Sequence, residues 1–84
     1  MHQFDIILSS FAQVQEFVNL AIRQPFDISV GNEQQQINGK DLLGMFSLDY
    51  SREIRVRVNC EESDFFQFLS DARKIAENSI LAVK

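Results

Sequence analysis

NGKDLLGMFSLDY, residues 38–50, is the stretch that decides between the folds allowed by the rest of the chain. Polar and small residues open it, and apolar side chains then fill most positions up to Tyr50. Apolar residues at helical spacing predict a helix of about two turns at 40–48. A helix that short has one narrow side to bury, yet this one is apolar nearly all round. The sequence therefore predicts that some of these apolar side chains act outside the core.

The apolar side chains of this helix fall into two groups. Leu42, Leu43 and Phe46 share one side of the helix, whereas Met45 and Leu48 share another. One side can face the sheet while the other meets a partner, since contiguous exposed apolar groups often mark interaction sites. Replacement of Phe46 by serine should then leave thermal stability nearly unchanged. The alternative is a helix that is simply buried in the core of a small domain.

The flanking sequence predicts strands and two longer helices. Alternation of apolar and polar residues indicates four strands, at residues 3–8, 26–30, 33–38 and 52–58. Apolar residues recur every three or four positions over 11–23 and about 63–79, which predicts two amphipathic helices. The predicted element order is β-α-β-β-α-β-α, in a single domain of residues 1–84.

This order predicts an α+β fold, an open-faced β-sandwich in which a four-stranded antiparallel sheet carries three helices on one face. Arg55 and Arg57 point away from the apolar side of their strand, and Asp5 and Asp27 do the same. We therefore expect the second sheet face to be wet, with opposite charges pairing across strands. A ferredoxin-like plait shares the first six elements, but it needs a longer second helix than 40–48 provides.

Composition argues against several classes of protein. The chain has 12 acidic and 8 basic residues and a net charge of −4, which disfavours a nucleic-acid partner. Its single cysteine fits a reducing compartment, and no segment resembles a membrane span or a signal peptide. The sequence offers neither a calcium-type loop nor a histidine close to Cys60. We expect a cytoplasmic protein without membrane, metal or cofactor, and not an enzyme.

The chain resembles the phosphocarrier protein HPr family of the bacterial phosphotransferase system. The short second helix of that family follows a pattern like K-S-x-x-G-x-M-S-L, and here residues 40–48 read KDLLGMFSL. The run Phe26–Val30, followed at matching distance by Ile37 and Asn38, is similar to the second strand of the family. The resemblance covers nearly the whole chain and implies the open-faced sandwich in the same element order.

The resemblance also gives the short helix a role. In HPr this helix is part of the docking surface for partner proteins, which implies Leu42, Leu43 and Phe46 as partner-docking residues. Asp41 stands where many Gram-positive members have a regulatory serine. Its carboxylate is either a permanent partial mimic of phosphoserine or an ordinary helix-starting acid, paired with Asn38 as in a capping box.

The resemblance ends at the loop that carries phosphate in the family. HPr bears a phosphorylated histidine in a loop resembling G-I-H-A-R-P between the first strand and the first helix, whereas residues 8–14 here read LSSFAQV. The only histidine, His2, comes too early in the chain, and we expect it at a frayed terminus. Ser9 and Ser10 are a candidate anion site at the helix N-terminus, and both are also ordinary helix caps. The chain is thus predicted to be a degenerate family member without catalytic residues.

Three functions remain open from the sequence. The first is an HPr-like protein-binding or regulatory module whose partner belongs to the phosphotransferase system or to carbon regulation. The second is a working phosphocarrier that uses a non-standard acceptor such as His2 or a serine. The third is a structural domain that self-assembles through its sheet face or its polar strand at 33–38. A monomer or a weak dimer is expected.

Overall fold

The computed structural model describes residues 1–32 and 34–76 with their side chains and residues 80–83 by their backbone. The elements are β1 (His2–Ile6), α1 (Phe11–Ile22), β2 (Asp27–Gly31), β3 (Gln36–Asn38), α2 (Leu42–Met45), β4 (Ile54–Asn59), α3 (Glu62–Ile75) and β5 (Ile80–Val83). The first seven follow the predicted order. No helix within these ranges is long and apolar enough to cross a membrane.

The strands form one antiparallel sheet in the order β3-β2-β4-β1-β5. The predicted α+β open-faced sandwich is confirmed, and β5 extends its four predicted strands at the edge beside β1. The predicted helix at 63–79 is α3, which ends at Ile75, and residues 77–79 of that prediction lie outside the described residues. The fifth strand was not predicted, because a short apolar run such as ILAV has no periodicity that separates strand from helix.

The core lies between the helices and one face of the sheet. Alternate residues of β1, β2 and β4 are buried on that face, and all three helices add apolar side chains to it. Phe68 of α3 lies at its centre, with its ring centroid 5.9–6.2 Å from those of Phe4, Phe17 and Phe26. Aromatic pairs at such distances add about 0.5–1.5 kcal/mol each beyond their area burial.

The other sheet face is polar, as predicted. Asp5 lies opposite Arg55, whose Nε donates to the Asp5 carboxylate at 3.0 Å. Arg57 lies opposite Gln3 and donates from Nε to its side-chain oxygen at 3.4 Å. Cross-strand pairs of this kind are worth only a few tenths of a kcal/mol, up to about 1 kcal/mol, so the core provides most of the stability.

The short helix α2 is tighter than predicted. Its α-helical part covers four residues, and the chain then continues in turns in which Ser47 N–H donates to Gly44 and Leu48 N–H to Met45. These bonds span three residues, as in a 3₁₀-helix, and they complete the predicted two turns. Gly44 permits close packing on β3, because a Cβ there would lie 2.8 Å from the Ile37 Cγ2 atom.

Candidate functional site

Asp41 forms the N-cap of α2. Its Oδ1 accepts from the Gly44 N–H at 3.2 Å, which satisfies one of the free amides of the first turn. The Asn38 carbonyl accepts from Asp41 N–H at 2.9 Å, and the Asn38 side chain accepts from Lys40 N–H at 3.0 Å. The expected capping box between Asp41 and Asn38 is therefore wrong, because the Asn38 side chain serves Lys40 and Asp41 lies one position before the first turn.

The apolar residues of the α2 region divide between core and surface. Met45 and Leu48 are buried, whereas Leu43 is 82% exposed. Leu42 and Phe46 are exposed to a smaller degree, with 37% and 38% of their surface accessible. The larger part of Phe46 is therefore covered by neighbouring residues. A replacement that leaves stability nearly unchanged, as expected for Phe46, is better expected for Leu43. The docking role of all three remains a prediction.

Phe11, the first residue of α1, belongs to the apolar series that predicted this helix, but it does not face the core. It is 79% exposed, and its ring meets that of Phe46 edge-on, with centroids 5.4 Å apart and planes at 79°. Ile22, in the same apolar series, is exposed as well. At about 100° per residue, both lie roughly a quarter-turn from the centre of the buried stripe around Val14 and Ala21. The angle alone does not separate them from the core, because the buried Val18 lies about 20° from Phe11 around the same helix.

The helices α1 and α2 run side by side in opposite directions. Lys40 Nζ, at the start of α2, donates to the carbonyl of Gln24 just beyond the end of α1, at 2.8 Å. Phe46, at the end of α2, contacts Phe11 at the start of α1. Five exposed apolar residues are distributed along this pair of helices, and we call them the α1–α2 surface: Phe11, Ile22, Leu42, Leu43 and Phe46.

A notch of about 390 Å³ opens beside Phe11, where the chain passes from β1 to α1. It is lined by Leu8, Ser9, Ser10, Phe11, Val14 and Tyr50. The Tyr50 hydroxyl donates to the Met45 carbonyl, which links the loop after α2 to the end of that helix. Burial raises the pKa of Tyr50 to about 12, so its phenol remains a neutral donor at physiological pH.

The N-terminus of α1 is capped by its own side chains. Ser10 Oγ accepts from Gln13 N–H at 3.1 Å, and the Gln13 side-chain oxygen accepts from Ser9 N–H at 2.7 Å and from the Ser9 hydroxyl at 3.0 Å. This arrangement resembles a capping box in which two serines share the role of one, since Ser10 accepts from the helix and Ser9 donates to Gln13. Both serines are exposed, and the contacts give each of them a structural role. An anion at this helix N-terminus remains a prediction.

His2 does not lie at a frayed terminus, so that expectation was wrong. It is the first residue of β1, it lies opposite Val58, and its ring stacks on Phe65 with centroids 4.6 Å apart. At about 3.3 Å per residue, β1 carries it roughly 13 Å from Ile6, where the chain leaves for α1. The stacking on Phe65 holds the His2 side chain in place although it lies next to the terminus. The direction of β1 places His2 at the end of the strand away from Ser9 and Ser10.

Cys60 is half-buried against the core at the end of β4. Burial, and to a smaller extent the nearby Asp64 carboxylate, raise the pKa of its thiol, which keeps it in the poorly nucleophilic protonated form. Across 1–32 and 34–76, no three histidine, cysteine or acidic side chains come together as a metal site would require.

A comparison with solved structures places this fold. The histidine-containing phosphocarrier protein of Mycoplasma superposes with a TM-score of 0.68 over 87% of this chain and 89% of that one, at 14% sequence identity. A likeness at this identity shows that the chain has the HPr-like fold. No protein-family profile matches the sequence, and no curated protein matches it.

Proposed function

We propose that this chain is an HPr-like protein-binding module that docks to a protein of the phosphotransferase system through the α1–α2 surface. We further propose that it does not carry phosphate on a histidine. The observation that carries the proposal is the pair of touching rings, Phe11 and Phe46, left at the surface beside the exposed Leu43. Contiguous exposed apolar side chains are typical of interaction sites.

The α1–α2 surface combines a raised part and a recess. Phe11 and Leu43 project from the protein, and the notch next to Phe11 is walled by Leu8 and Val14. Burial of one such exposed side chain by a partner stabilises a complex by about 1.5–3 kcal/mol. Two or three of them would form the central apolar anchor that most protein interfaces contain.

The resemblance to HPr supports the location and the partner class. The family uses its short second helix to dock partners, and α2 occupies that place in the element order. One solved structure with the same fold is a histidine-containing phosphocarrier protein. Asp41, at the position of the regulatory serine, caps α2 with a fixed negative charge next to Leu42. We propose that it holds the docking helix in one conformation.

The junction between β1 and α1 supports the absence of phosphate transfer. Its residues 7–10 contain no imidazole, and its two serines are engaged in capping α1. His2 lies at the other end of β1, against Phe65. A phosphohistidine also needs nearby donors to hold three phosphoryl oxygens, and the notch here is mostly apolar.

The phosphate claim is tested with enzyme I and phosphoenolpyruvate, with a functional HPr as the positive control. We expect the intact mass of this protein to stay unchanged while the control gains one phosphoryl group. Acid-labile, stoichiometric phosphate would refute the claim. His2→Gln and the double variant Ser9→Ala with Ser10→Ala would then identify the acceptor, because an acid-stable adduct belongs to serine and an acid-labile one to histidine.

The docking claim is tested by titrating isotope-labelled protein with enzyme I and following its amide resonances. We expect the largest changes at residues 11, 43 and 46. Leu43→Gln should weaken the binding, whereas Phe66→Gln should not, since Phe66 is a comparably exposed apolar residue on α3, outside the α1–α2 surface. Failure of the unmodified protein to bind enzyme I would contradict the proposed partner class.

A further inference from the structure

The polar face of the sheet forms a shallow groove of about 630 Å³. β4 crosses it and contributes Arg55 and Arg57, and the loop before β4 contributes Asp49 and Arg52. Amide side chains from the region around β3, Gln34 and Gln36 among them, form another part of the lining. The groove is on the opposite side of the sheet from α1 and α2, so it is independent of the proposed docking surface.

The charges of the groove are compensated at one end. Asp5 receives the Nε–H of Arg55 at 3.0 Å. Asp49 accepts from Ser51 N–H at 2.9 Å, and hydrogen bonds from Ser51, together with the nearby Arg52 guanidinium, lower the pKa of that carboxyl. Glu53 adds a further negative charge at the same end, just before β4 begins. This end of the groove therefore does not attract anions.

Arg57 occupies a different environment at the other end. Its cross-strand neighbours on the polar face are Gln3 on β1 and Ser29 on β2, both neutral. Ser29 in turn donates its hydroxyl to the Gln36 side chain at 2.8 Å. Within the described residues, the one hydrogen bond of the Arg57 side chain runs from Nε to Gln3, and no carboxylate pairs with it.

The remaining donors of Arg57 suit an anion. A guanidinium carries five N–H groups in a planar fork, and four of them belong to the terminal nitrogens that the bond to Gln3 leaves free. Such a fork binds a carboxylate or a phosphate through two parallel hydrogen bonds. Two acids lie diagonal to Arg57 and weaken this field: Asp27 on β2, and Asp5 on β1, which is paired with Arg55.

We propose that Arg57 binds the carboxylate or phosphate of a small polyhydroxylated molecule in this groove. The anionic group pairs with the guanidinium, next to Gln3 and Ser29. The hydroxyl groups of the ligand lie along the groove, where the Gln34 amide offers a donor and an acceptor. The Gln36 amide is already engaged, since it accepts from Ser29 and donates to the Asn32 carbonyl. At the other end the acids Asp5, Asp49 and Glu53 outnumber Arg52 and Arg55, which disfavours a second anionic group, so the ligand carries its charge at one end only.

The test is a resonance titration of the full chain with four probes at constant ionic strength: inorganic phosphate, glycerol 3-phosphate, gluconate and neutral sorbitol. We expect saturable changes at Gln3, Ser29 and Arg57 with glycerol 3-phosphate or gluconate, and weaker ones with phosphate alone. Preference for one of the two identifies the anionic group. The proposal is overturned if no probe saturates by about 50 mM, or if sorbitol binds as well as the anions.

Variants assign the binding to Arg57. Arg57→Gln should weaken the preferred probe at least tenfold, Arg57→Lys should give an intermediate loss, and Asp27→Asn should tighten binding. Arg73→Gln, which removes an exposed arginine from α3, is the matched control and should change nothing. Equal affinity of the unmodified protein and Arg57→Lys, or equal losses in the Arg57 and Arg73 variants, would refute a bidentate site at Arg57. Leu43→Gln should retain anion binding, which separates this site from the docking proposal.

Discussion

Replacement of Leu43 by glutamine separates a docking role from a core role most clearly. Leu43 is 82% exposed, so folding buries about a fifth of the side chain. Full burial of a leucine stabilises a protein by about 1.5–3 kcal/mol, and a fifth of that is about 0.3–0.6 kcal/mol. Glutamine and leucine have similar helix propensities, so the helix itself adds little to this change. We expect the free energy of unfolding to fall by less than about 1 kcal/mol.

The same change has a larger effect if a partner covers Leu43. Burial of the remaining four fifths of the side chain stabilises a complex by about 1.2–2.4 kcal/mol. Its loss corresponds to a Kd about 8- to 60-fold higher. Denaturant unfolding measures the first quantity, and calorimetric titration with enzyme I measures the second.

Two outcomes would refute this reasoning. A destabilisation above about 2 kcal/mol would place Leu43 in the core, because cavities of that cost form only around buried side chains. An unchanged Kd would show that the α1–α2 surface does not meet the partner. Phe66→Gln controls for the general effect of removing an exposed apolar group, and it should leave the Kd unchanged.

Three further predictions concern stability and ionisation. Phe46→Ser should cost about 1–2 kcal/mol in denaturant unfolding, because the larger part of the ring is covered and it packs on Phe11; a neutral result would mean that the ring contact contributes nothing. Asp41→Ala should cost about 0.5–2 kcal/mol and Asp41→Asn much less, since asparagine also caps helices; equal losses would show that the charge matters more than the cap. The pKa of Tyr50 is raised from 10.0 to about 12, so the stability tied to its neutral phenol is complete below pH 10 and is lost as the pH rises towards 12; Tyr50→Phe should lack this alkaline loss in pH-dependent unfolding, and an identical pH profile would contradict the assignment.

The fold could be predicted from the sequence because the alternation of apolar and polar residues was strong in the central strand. Ile54, Val56 and Val58 alternate with polar residues and are all buried in β4, the central strand of the sheet. The short apolar stretch at 40–48 then limited the length of the second helix, which argued against a ferredoxin-like plait. β5 was not predicted because four consecutive apolar residues show no periodicity that indicates a strand. Its pairing with β1, at the other end of the sequence, is also not visible from local sequence.

The candidate site was only partly predictable. Leu43 was identified because a short helix that is apolar all round cannot bury every side chain. Phe11 was missed because it stands at the first position of α1, where apolar spacing does not distinguish a core residue from a surface residue. His2 was misplaced because position near a terminus was used as a guide, and its stacking on Phe65 depends on how β1 and α3 pack together.

The notch at the start of α1 connects the two halves of the proposed function. A phosphoryl group with close to two negative charges is costly to place against Leu8, Val14 and the neutral phenol of Tyr50. The same walls suit an apolar side chain, and Phe11 belongs both to the notch and to the α1–α2 surface. Replacing Val14 by threonine, nearly the same size, would make the notch more polar with little change in shape. If the notch receives an apolar group of the partner, this variant should bind enzyme I more weakly than the unmodified protein even after correction for its lower stability. An unchanged affinity would confine docking to the projecting residues Phe11 and Leu43.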